Sequence, residues 1–114
     1  MALPVLTQHL VETKLTAYCE HKIPLHVRDQ VKISFNVRGN YVTLNEERQT
    51  FIKPGTWVTI PIAQFRFDDD AGVWTLYCVD RNSKWHRYTQ TKSSRNIADL
   101  LLAIDADRTG IFWG

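Results

Sequence analysis

Two cysteines, one methionine, five glycines and four prolines in 114 residues rule out several architectures at once. Cys19 and Cys78 lie far apart with no C-x-x-C spacing, so a disulfide framework has nothing to build on, and two buried free thiols are expected. No glycine-rich loop is present to cradle phosphates, and no serine stands in a G-x-S-x-G elbow. Charge of one sign is also missing: 14 basic residues against 12 acidic ones leave a net +2, too even for an electrostatic footprint on nucleic acid. No apolar run approaches the ~18 residues of a membrane span, and the N-terminus lacks the basic start and apolar core of a signal peptide. A cytoplasmic protein without membrane contact is predicted.

What is there suits one globular domain. Apolar residues make up 44% and charged residues 23%, which excludes the disordered class. At this length roughly two-thirds of the unfolded surface can be buried around one core, so residues 1–114 are expected to form a single domain.

From Pro4 to about Lys22, Leu6, Leu10, Val11, Leu15, Tyr18 and Cys19 recur at helical spacing, and Pro24 predicts the stop. Val31, Ile33, Phe35 and Val37 alternate with polar residues as in a half-buried strand, and Gly39-Asn40 reads as a two-residue hairpin loop into a return strand over 41–48. Residues 49–60 lose the period. Lys53-Pro54-Gly55-Thr56 predicts a turn there, and Phe51, Ile52 and Trp57 predict a loop folded back on the domain.

A third strand over 62–68 sets Ala63, Phe65 and Phe67 on one face and Ile62, Gln64 and Arg66 on the other. Asp68 to Gly72 turns the chain into a fourth strand over 73–80, with Trp74, Leu76 and Cys78 inward. Arg81-Asn82-Ser83 leads to a fifth strand over 84–88, where the bulk of Trp85 predicts that Trp85 and Arg87 face inward while Lys84, His86 and Tyr88 point out. Ile97, Leu100, Leu101 and Ile104 mark a second helix capped by Ser94 or Asn96, and the tail Ile111-Phe112-Trp113 is expected to dock on the core. No link between strands has room for a crossover helix. The fold class is therefore α+β: an N-terminal helix, a five-stranded antiparallel meander sheet, and a C-terminal helix packed on one sheet face, with a sheet curled toward a half-barrel as the alternative.

The segment I-P-x-x-V-R-D-Q-V, the run P-I-A-Q-F-R-F at 61–67, W-T-L-Y at 74–77, D-R-N-S-K-W-H-R-Y at 80–88 and the ending D-x-T-G-I-F-W-G together resemble a family of small bacterial proteins grouped as a domain of unknown function. The resemblance runs through nearly the whole chain. It implies a complete single-domain bacterial protein and transfers no catalytic residue. It also implies a larger apolar side chain where Cys78 stands, which argues against a functional thiol.

Catalytic constellations fare poorly on the residues themselves. His9, His21, His26 and His86 lack zinc spacing, and Asp68-Asp69-Asp70 lacks the alternate oxygens of an EF-hand, so no metal or other cofactor is predicted. Cys78 is turned inward, away from a nucleophile's role beside His86. A carboxylate nuclease could draw only on the scattered Asp29, Glu46 and Lys84. What remains is a binding face on the open side of the sheet, with Arg66, Tyr77, Lys84, His86 and Tyr88 as candidates beside Tyr41, and Arg87 joins them if it lies at the sheet margin and not under the helices. The favoured reading is a non-enzymatic protein-interaction domain, with a protein partner or a second copy held at the sheet edge or the Trp57 loop. Single-stranded nucleic acid stacked on the aromatic residues is the alternative, and a phosphodiesterase-like enzyme the third. The positions of Arg28 and Arg87 separate a structural clasp on Asp29 or Glu46 from an open groove.

Overall fold

The computed structural model describes residues 2–53 and 55–113, so Pro54 of the expected turn and the terminal Gly114 lie outside it. The chain runs α1 (Val5–Lys22), a 3-10 turn (Leu25–Val27), β1 (Val31–Arg38), β2 (Tyr41–Gln49), β3 (Trp57–Asp68), β4 (Val73–Val79), β5 (Trp85–Arg87) and α2 (Ile97–Ala106). The five strands are antiparallel in the order β1-β2-β3-β4-β5, the α+β meander expected. The first and last strands occupy opposite edges, so the sheet stays open. No helix among the described residues is long and apolar enough to cross a membrane.

Helix α1 ends where Ile23 goes extended before Pro24, with His21 and Lys22 in the last turn, where the helix dipole favours positive charge. Only Val11 and Leu15 are fully buried, with Tyr18 and Cys19 partly so. Leu6 and Leu10, placed by their spacing in the apolar arc, are 79% and 58% exposed. The surface available to α1 is a narrow seam. Lys14 donates to the Asn96 carboxamide oxygen (2.6 Å), and Tyr18 and Lys22 both donate to Asp105 (2.7 and 3.0 Å), so α2 covers one side of the helix alone.

Helix α2 is capped by Asn96, whose side chain accepts from the Ala98 amide. Ile97, Leu100, Leu101 and Ile104 are buried, as their spacing requires. Asp107 ends the helix in the left-handed region (φ 43°), and its two carboxylate oxygens accept from the amides of Phe112 and Trp113 (3.0 and 2.8 Å). That clamp folds the tail back: Phe112 is buried and Trp113 packs at the core's margin.

The core lies between the helices and one sheet face, with Phe65, Leu15, Leu44, Leu76, Leu100 and Ile104 completely enclosed. Gly39 (φ 61°) takes the first corner of the β1–β2 turn, the position that needs glycine in a type II′ hairpin, while the Asn40 backbone carbonyl accepts from the Phe67 amide and the Asn40 side-chain amide donates to the Phe67 carbonyl. Between Leu44 and Asn45 the register slips. Leu44 faces Ala63 but Asn45 faces Pro61, and the extra residue, Ile62, turns into the core where alternation alone puts it on the open face.

The fifth strand corrects the expected parity. Tyr77 pairs with Arg87 and Val79 with Trp85, so Trp85 and Arg87 stand on the open face, whereas His86 pairs with Cys78 on the helix side. Tyr88 follows inward: its amide donates to the Leu76 carbonyl (2.9 Å), its side chain is 5% exposed, and its ring lies 4.8 Å from that of Phe112. The bulk of Trp85 misleads because β5 has only three residues, and pairing to β4 fixes its faces.

Candidate interaction surface

On the open face, cross-strand neighbours form a polar network. The Arg66 guanidinium lies over the rings of Tyr41 (4.6 Å) and Tyr77 (3.8 Å), and its Nε donates to the Gln64 carboxamide (2.7 Å). Gln64 in turn donates to the Thr43 hydroxyl (3.1 Å), and Asn45 to Asn36 (3.0 Å). Gln64 and Asn45 are buried beneath these neighbours although they sit on the open side. Such contacts contribute ~0.5–1 kcal/mol each at exposed sites. The guanidinium covers one face of each of the two tyrosine rings.

The six candidate residues therefore do not share one surface. Arg66, Tyr77 and Arg87 line the open face, with Arg87 exposed opposite Tyr77. Lys84 is exposed in the β4–β5 turn, and His86 is exposed on the helix side of the sheet edge. Tyr88, expected on the binding face, belongs to the core.

The β4–β5 turn is organised by Asp80. One carboxylate oxygen accepts from the amides of Asn82 and Lys84 (2.8 and 3.0 Å) and the other meets His86 Nε2 (2.6 Å). These bonds, the Lys84 amide first and then His86, hold the Asp80 carboxyl below its ordinary range. Burial instead pushes the Cys78 thiol up, which favours its neutral form. Among the described residues Arg28 closes no acidic clasp; its Nε donates to the Ile23 carbonyl (2.9 Å), tying the 3-10 turn to the end of α1. Asp68 folds one oxygen onto the amides of Asp70 and Ala71, a solvated turn, and among the described residues no three His, Cys, Asp or Glu side chains stand together as metal ligands.

The far end of the sheet carries the unexpected feature. β3 begins at Trp57, five residues before the strand predicted from alternation, and with β2 it forms a long hairpin. Its turn closes on itself: the Thr50 amide donates to the Thr56 carbonyl (2.9 Å), the Thr56 amide to the Lys53 carbonyl (3.1 Å), and the Thr50 hydroxyl bonds Lys53 (3.1 Å). Phe51 and Ile52 ride on this turn fully exposed, contrary to the expected fold-back. Behind them Val58 and Ile60, on the helix-side face, are 44% and 43% exposed. Trp57 alone folds down as expected, its ring under the Lys32 ammonium at 4.4 Å.

A five-stranded antiparallel meander covered on one face by two helices, with an apolar hairpin end left bare, defines a small α+β domain. A family model described as a domain of unknown function (DUF3024) matches residues 3–114, and the chain belongs to this family. No curated protein and no solved structure matches it.

Proposed function

We propose that this domain is a non-enzymatic binding module that docks on a protein partner through the free end of its β2–β3 hairpin. One observation carries the reading: Phe51 and Ile52 are held fully in water by a turn that satisfies its own hydrogen bonds, with Val58 and Ile60 bare behind them. Each such side chain forgoes ~1.5–3 kcal/mol of burial, a cost that contiguous apolar residues recover when a partner covers them. The rim is polar and mixed in charge, with Lys53, Arg48 and Asp29 around the tip, as protein interfaces are. The free thiols Cys19 and Cys78 suit a reducing compartment, and we assign the module to the bacterial cytoplasm.

The test is capture with the full chain as bait, followed by reconstitution with the identified partner in purified form. Phe51→Ser/Ile52→Ser should abolish binding while leaving the melting temperature unchanged. Equal retention by both baits, or transfer of binding to lipid vesicles, would overturn the reading.

Single-stranded nucleic acid is favoured by one contact set only, Arg66 between Tyr41 and Tyr77 with Arg87 nearby. It predicts RNA or DNA retention that falls steeply with salt and with Arg87→Ala. Absence of retention at low salt removes it.

A further inference from the structure

The bare hairpin end includes a length of unpaired strand. The last pair between β3 and β4 is Ala63 opposite Cys78, so residues 57–62 of β3 run past that pair, and none of them pairs with a strand on its outer side among the described residues. The exposed run Val58, Thr59, Ile60 and Pro61 marks that gap. The direction of the free backbone groups follows from the neighbouring bonds. The Gln49 amide donates to Gln30, away from β3, while the Thr50 amide donates to Thr56, so antiparallel alternation leaves Trp57, Thr59 and Pro61 pointing their backbone groups outward. The open edge thus offers the N–H groups of Trp57 and Thr59 and the carbonyls of Trp57, Thr59 and Pro61.

We propose that this overhang is a two-fold homodimerisation edge, centred on Thr59 and occupied by the same segment of a second copy; the inference rests on the interaction reading above and names its partner. Antiparallel self-pairing about Thr59 sets Thr59 opposite the partner's Thr59 and Trp57 opposite the partner's Pro61. Two reciprocal bonds form at Thr59, and each Trp57 N–H reaches the partner's Pro61 carbonyl. Every outward donor of both edges is then used, and the N–H that proline lacks falls where only the Trp57 carbonyl faces it, a group that water can satisfy.

Side chains agree with the same register. On the helix side, Val58 meets the partner's Ile60 and Ile60 the partner's Val58, making one aliphatic cluster from four half-exposed residues. On the open side, Trp57 stands opposite the partner's Pro61 in the ladder while its ring stays under Lys32. Residues 57–63 contain no charge, so nothing like-signed is brought together. The outer edge of β1 is different: pairing about its centre, Phe35, would oppose Lys32 to the partner's Arg38, the kind of charge that guards an edge strand. The other edge, β5, has three residues and two of them are His86 and Arg87.

A five-residue ladder alone is short of the roughly 800 Å² per partner of a standard interface. The register brings Thr56 opposite the partner's Ile62, so the turn carrying Phe51 and Ile52 arrives at the end of the partner's β4. The Phe51 ring offers ~150–250 Å² of further contact there.

Sedimentation or light scattering on the intact chain tests the proposal. The wild type should reach twice the chain mass at concentrations from about 1 µM upward, the weak end of the affinities that standard interfaces span. Ile60→Lys and Val58→Glu should each be monomeric yet folded, since Lys at 60 would face Glu46 and Glu at 58 would face Arg48 within the sheet. Mixing the two variants should restore a dimer, because the introduced charges meet across the two-fold axis. Thr59→Cys should cross-link to itself on oxidation. A monomeric wild type, or a dimer indifferent to Ile60→Lys and lacking the Thr59→Cys cross-link, overturns the inference. A monomeric wild type whose reconstituted partner still depends on Phe51 and Ile52 overturns the inference and leaves the interaction reading standing. Loss of both dimer and partner removes both.

Discussion

Replacing Tyr88 by Phe should stabilise the domain. The Tyr88 side chain is 5% exposed, and its hydroxyl is buried without a hydrogen-bond partner among the described residues. A buried hydroxyl left unpaired costs about 1–3 kcal/mol in proteins, whereas the ring, packed 4.8 Å from Phe112, is kept by the substitution. A gain of ~1 kcal/mol is expected, and for a domain of this size that raises the melting temperature by about 4–8 °C. Urea unfolding gives the free energy, with an unchanged slope showing that the surface exposed on unfolding is the same in both proteins. The opposite outcomes are informative. A change within ~0.5 kcal/mol is what a surface tyrosine gives, and would return Tyr88 to the open face where alternation from Lys84 and His86 put it. A loss beyond that would mean the hydroxyl bonds something. Tyr77→Phe, on the open face, is the control and should be neutral.

Other predictions follow from the clamps and turns. Asp107→Ala should cost ~2 kcal/mol, since it removes two charge-assisted bonds to the tail and leaves alanine at φ 43°; Asp107→Asn should recover part of it, and a red shift in tryptophan emission as Trp113 loosens is the readout. Asp80 is held below the usual carboxylate range in the fold, so its contribution is intact above that range and is lost as pH falls through the lowered value; the amide shifts of Asn82 and Lys84 should move only in acid, and movement near neutrality would refute the assignment. Cys19 is pushed up to about 11, by burial first and by Glu20 second, and Cys78 is raised by burial, so both thiols should alkylate slowly at neutral pH and fully only on unfolding.

The parts legible from the sequence were those governed by short-range periodicity. The 3.6-residue spacing of Ile97, Leu100, Leu101 and Ile104 fixed the buried face of α2, and the alternation of Trp74, Leu76 and Cys78 fixed that of β4. The candidate site was legible only in part. Arg66 and Tyr77 meet on the open face as alternation requires, but that Arg66 lies over the rings of both Tyr41 and Tyr77 is something no spacing rule foretells. The hairpin tip was legible as a turn with apolar residues. That Phe51 and Ile52 stay in water is a tertiary outcome that no local period carries.

The sequence by itself determined which residues could be apolar partners, where the chain turns, and hence a helix, a five-stranded meander and a second helix. Those outcomes rest on interactions between residues a few positions apart. The tertiary structure alone decided the face of each residue in β5, the turning of Ile62 into the core at a bulge, and the overhang of β3 past β4. Each of these depends on register between strands, and register is set by the pairing partner, which lies far away in the chain.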